Sequence, residues 1–258
     1  MAKWTAFPYD DDDYTHDAAA LKKQWARLHS CDQEPLPDTP ELLLAWTHFH
    51  NGHFEEAHML GLRLGDAGLT VANKAACIYA AQLEPRQSER QAIYQRVSER
   101  AEAQTQSQPD NPNAHYLLAW SLGRYSQGIS VTQALAQGLG SKIKSALETT
   151  IALQPMHADG HFELGSFHAE IIDRVGALIG HMTYGVRKDV SLEMFLQGFT
   201  LQPRSPVGLV EYAAALLMLE GDARQDEAAA LLAQAASLQA MDAREYLDIA
   251  QAQGGLAP

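Results

Sequence analysis

The chain has 258 residues, a formal net charge of −13 and a hydrophobic fraction of 46%, with Ala, Leu and Gln abundant. That charge argues against nucleic-acid binding, which needs a basic face, and fits an acidic protein or one with a basic partner. Two distant cysteines, Cys31 and Cys77, imply neither a disulfide framework nor a metal knuckle. No run approaches 18 apolar residues, so no membrane span is expected. The first eight residues lack the apolar core of a secretory signal, which makes a cytoplasmic location the expectation.

Residues 1–14 are aromatic and acidic, with Asp10 to Asp13 in a row, and read as a solvated tail. Thr15 is placed to cap a helix running to about His29. Pro35, Pro37 and Pro40 then impose an extended connection. Residues 1–40 are accordingly expected to form an acidic segment with a capping helix, and 41–258 a helical array. In that array, 41–66 read as a helical pair broken at Asn51-Gly52, and 70–84 as a helix stopped at Pro85. A longer helix over 87–107 carries the stripe Ile93, Val97 and Ala101. Pro206 opens a last pair through about 239, and Asp242 is placed to cap a final helix over 242–252. No alternating strand pattern occurs, so the fold is expected to be all-α.

The centre of the chain repeats itself. Leu153-Gln154-Pro155 returns 48 residues later as Leu201-Gln202-Pro203, each closing a helix-like segment. His115 to Ala119 and His161 to Gly165 occupy matching positions ahead of them. These units, 112–155 and 156–203 with a third at 206–240, resemble the tetratricopeptide repeat (TPR) superfamily. The match is best at His161, Leu164, Gly165 and His168, then Ser191, Phe195, Gly198 and Pro203. A tetratricopeptide unit has about 34 residues. The excess here falls between the first and second helix of each unit, at 126–140 and 172–185. With Leu122-Gly123-Arg124-Tyr125 and Gly138, this arrangement is similar to the regulator of microtubule dynamics family and its uncharacterised bacterial relatives. The resemblance implies a right-handed α-solenoid of helical hairpins with two long inserts, acting as a non-catalytic protein-binding scaffold.

No catalytic constellation, phosphate loop or cofactor motif is legible. His157, His161 and His168 fall on one helical stripe, but His161 and His168, like His115, coincide with repeat packing positions, and no metal is expected. Helical phase instead places Tyr116, Trp120 and Arg124, then Phe162, Ser166 and Glu170, and Trp46, on an inward-curving groove. Trp, Tyr and Arg dominate interface hot spots, so a protein or peptide partner is expected there. The alternative is that the inserts close the groove into a pocket for a small apolar ligand near Tyr125, Gln127, His168 and Tyr184.

Overall fold

A computed structural model describes residues 3–9 and 15–255. The aspartate run lies outside the described residues. Among those described, no strand occurs.

Helix starts follow local chemistry. The first helix, α1 (Ala18–Leu28), is capped by Asp17, whose carboxylate accepts from the Ala20 N–H, and not by Thr15. Thr39 caps α2 (Pro40–His50), with Pro40 at the first turn, where its missing N–H costs nothing. After Asn51-Gly52 come α3 (Phe54–Arg63), α4 (Leu69–Gln82) and α5 (Gln87–Ser107). Asn111-Pro112 starts α6 (Pro112–Gln127) with the same cap-proline device, the Asn111 side chain accepting from two backbone N–H groups. The two long inserts each contain a short helix, α7 (Val131–Ala136) and α10 (Ala177–Tyr184). Between and after them run α8 (Leu139–Leu153), α9 (Ala158–Val175) and α11 (Lys188–Leu201). Ser205-Pro206 starts α12 (Pro206–Glu220), followed by α13 (Gln225–Ala236) and α14 (Ala243–Gly255). Both Leu-Gln-Pro tripeptides sit where α8 and α11 end, and both inserts separate the first from the second helix of a unit, as the repeat implies.

The chain forms two compact units. The first comprises residues 1–29, 34–139 and 241–244; the second comprises 30–33, 140–240 and 245–258.

In the first unit, α2 packs on α3, α3 on α4, α4 on α5 and α5 on α6. Gly61 and Gly68 let α3 and α4 nearly touch, since a Cβ on Gly68 would stand 2.1 Å from the Gly61 carbonyl oxygen. The stripe Ile93, Val97 and Ala101 of α5 is buried as its spacing requires. A polar ladder also joins α4 to α5. Asn73 donates to Gln104, Gln104 donates to Thr70, and the Arg100 guanidinium donates to Asn73 at 2.6 Å.

In the second unit, α9 packs on α11 and α12, and α12 on α13. Its core is built on reciprocal glycine seats. Gly165 of α9 receives Phe195 of α11, and Gly198 of α11 receives Phe162 of α9. A Cβ at Gly198 would lie 2.4 Å from the Phe162 ring. The repeat histidines do more than fill space. His115 Nε2 lies 2.9 Å from the Pro109 carbonyl oxygen, and His161 Nε2 lies 3.1 Å from that of Pro155. Each ring holds the connection that precedes its own helix.

Candidate functional site

The N-terminal segment is not a solvated tail over residues 3–9. It is an extended strap laid on the first unit. The Trp4 ring stacks on Tyr79 of α4 at 4.1 Å between centroids and on His58 of α3 at 5.1 Å. The Trp4 N–H donates to Glu55 Oε2 and the Thr5 N–H to the Tyr79 hydroxyl, each at 3.3 Å. That hydroxyl donates in turn to Glu84 Oε2 at 2.8 Å. Three residues on, Phe7 sits against Gly52, where a Cβ would meet its ring at 2.6 Å, and meets Phe54 edge-on. Gly52 therefore serves twice: its φ of 80° makes the turn after α2, and its bare Cα makes the seat.

The surroundings fix the ionisation of these groups. Bonds from the Arg86 side chain hold the Glu84 carboxyl down to about 2, and burial raises the Tyr79 hydroxyl. Burial, with the Arg100 and Arg96 charges, lowers His58 to about 4, although its Nδ1 donates to the Ala72 carbonyl oxygen. Near neutral pH the ring against Trp4 is uncharged.

Beside the strap lies a cavity of about 550 Å³, bounded by Trp4, α2 and α3. Leu44 and Met59 supply an apolar wall and are 47% and 43% exposed, so a ligand can reach them. Glu55, Glu56 and Arg63 supply charge of both signs. Such a surface offers area to an apolar side chain and hydrogen-bond partners to an extended backbone.

A second feature of the first unit is a buried chain of ionisable groups. His50 Nδ1 donates to Asp242 Oδ2 at 2.6 Å, and His50 Nε2 lies 3.1 Å from His29 Nε2. One of those facing nitrogens carries the proton that joins them. His16 Nε2 sits 2.8 Å from the Met241 carbonyl oxygen alongside. Trp25 stacks on His29, and Trp46 meets both histidine rings. All three members of the chain are buried, so it acts as a clamp between α1, α2 and residues 241–242.

The groove expected from helical phase is largely core. Trp46 is fully buried among Trp25, His29 and Phe49, with the Lys74 ammonium 5.9 Å from its ring centre. Phe162 is buried among Phe195, Phe199, Gly198 and Gly208. Tyr116 and Trp120, one turn apart on α6, stack on each other and are 6% and 8% exposed. Ser166 is buried and donates to Glu211 Oε2. Only Arg124 and Glu170 keep partial exposure. The groove residues Trp46, Tyr116, Trp120 and Arg124 belong to the first unit, and Phe162, Ser166 and Glu170 to the second.

The residues expected around a small ligand divide likewise. Tyr125 and Gln127 close α6 in the first unit. In the second, Tyr184 packs on Gly140 while its carbonyl oxygen accepts from Lys144 Nζ. His168 Nδ1 faces the Arg187 backbone, at 3.0 Å from its N–H. His157 Nδ1 accepts from the Gly160 N–H at the start of α9. Among the described residues, no three His, Cys, Asp or Glu side chains are grouped to hold a metal ion. No described helix is long and apolar enough to cross a membrane.

The fold has a solved counterpart. TTC0263, a thermophilic TPR protein of Thermus thermophilus, superposes with a TM-score of 0.58 at 16% identity. The match covers 83% of this chain and 97% of that one. The architecture is thus that of TPR-like helical hairpins, and the likeness extends to the fold alone. No protein-family model and no curated protein matches the sequence. The regulator of microtubule dynamics family is not confirmed.

Proposed function

We propose that the protein is a non-catalytic TPR-like scaffold that holds an extended segment of a partner protein on the α2–α4 face of its first unit. One observation carries this reading. The face already holds a peptide, the chain's own residues 3–9, by the means a peptide-binding surface uses. Side-chain acceptors take the backbone N–H groups of Trp4 and Thr5, while aromatic seats take Trp4 and Phe7. The adjoining cavity leaves room for a further side chain at Leu44 and Met59. Fold likeness to a TPR protein is compatible with such a role and does not by itself assign it.

The test is selection of displayed random peptides on the full chain. Selected peptides are expected to carry an aromatic anchor and to bind at least about tenfold more weakly to a Leu44→Glu, Met59→Glu variant. Both side chains are exposed, so the variant keeps its fold. Peptides that bind this variant as they bind the wild type would place the site away from the α2–α4 face.

A further inference from the structure

The insert helix α10 presents an apolar ridge that packing inside the second unit does not use. Leu178, Ile179 and Met182 are 73%, 59% and 78% exposed, and their spacing places them together on one side of the helix. Gly180, the buried residue of α10, seats the helix against Ile171 and Val175 of α9 and against Val186. Glycines with positive φ, Gly176 at 85° and Gly185 at 67°, turn the chain out of α9 and back toward α11. A dedicated turn at each end holds three large apolar side chains in water, where they are unfavourable unless something covers them.

The charges nearby indicate what does. Residues 175–186 contain no charged side chain, in a chain where charged residues make up 20%. Cations flank the insert, Arg174 before it and Arg187 and Lys188 after it, and a carboxylate adjoins each end, Asp173 and Asp189. No acidic residue lies between Arg174 and Lys188, although the whole chain carries −13. Arg187 pairs with Asp189 through an exposed ion pair, and Lys188 pairs with Glu220, whose partly buried carboxylate also takes Arg224. An exposed pair such as Arg187–Asp189 is weak and leaves its cation open to another anion.

We propose that α10 is a peripheral docking element that inserts its ridge into an anionic lipid surface. A lipid surface accepts a convex apolar ridge without shape complementarity, and its phosphates suit the flanking cations. A second copy of the chain fits less well. The three side chains and Ala177 offer roughly half of the ~800 Å² that each side of a stable dimer buries.

Vesicle flotation of the full chain tests this directly, with phosphatidylcholine alone and with about one-third phosphatidylglycerol. The wild type is expected to float with the anionic vesicles at least about tenfold more than with the neutral ones. A Leu178→Asn, Ile179→Asn, Met182→Gln variant, unchanged by circular dichroism, should lose that binding. An Arg187→Gln, Lys188→Gln variant should weaken it and reduce its salt dependence. Absence of flotation, or equal flotation of the apolar variant, would overturn the proposal. So would a dimer by light scattering that the apolar variant abolishes, since the ridge would then belong to a second copy.

Discussion

Burial decides the chemistry of His58. Its ring titrates at about 4 in the folded chain against 6.5 for an ordinary histidine. Between those values the unfolded chain binds a proton that the folded chain refuses, so stability falls as the pH is lowered from about 6.5 toward 4. Below that window both states are protonated and the dependence from this group ends. Urea unfolding across the window is expected to show the loss, and a His58→Gln variant to flatten it. An unchanged slope in the variant would place the acid sensitivity elsewhere. The His50–Asp242 bond shows the same logic in another form. A carboxylate with so little access to water is tolerated because the imidazole N–H meets it at 2.6 Å. Neither feature is legible in the sequence. Asp242 reads as a helix cap, and its partner stands 192 residues away. Local patterns carry no information about such a pair.

At the scale of elements, sequence and structure agree at most helix ends whose determinant is local, α1 being an exception because Asp17 caps it in place of Thr15. Thr39-Pro40, Asn111-Pro112 and Ser205-Pro206 each combine a side-chain acceptor with a residue that needs no donor, and each starts a helix. The two Leu-Gln-Pro stops set the repeat length and thereby expose the inserts. The groove fails for a reason that also belongs to elements. Helical phase identifies a free stripe only when a helix is packed on one side. On α6 every residue from Asn113 to Gly123 except His115 is buried, so no side is free. On α9 the run from Ala158 to Ala169 is likewise buried apart from Glu163. The repeat's small residues are explained by the same close packing. Gly198→Ala is expected to destabilise the chain by about 1–3 kcal/mol, because its methyl group would collide with Phe162. Thermal unfolding checks this, and a neutral result would mean that α9 and α11 can move apart freely.

For the whole molecule, a TPR-like architecture supplies helical hairpins and does not by itself assign a function, so the reading rests on what the surfaces hold. The first unit holds its own N-terminal strap, and the second displays an apolar ridge. Trp4, Phe7 and Tyr9 are visible in the sequence as an aromatic start to the chain, yet the adjoining aspartates make the segment read as solvated. The seat that overrides this reading is assembled from Gly52, Phe54, His58 and Tyr79, three of them on two different helices. If that seat is a peptide-binding surface, it should work in trans. The most direct measurement is titration of a synthetic peptide of residues 3–9 into a Trp4→Ala, Phe7→Ala variant of the full chain. The vacated seat is expected to bind the peptide saturably, and a further Tyr79→Ala change to weaken binding at least about tenfold. No saturable binding by a folded Trp4→Ala, Phe7→Ala variant would contradict the assignment of this face as a peptide-holding surface.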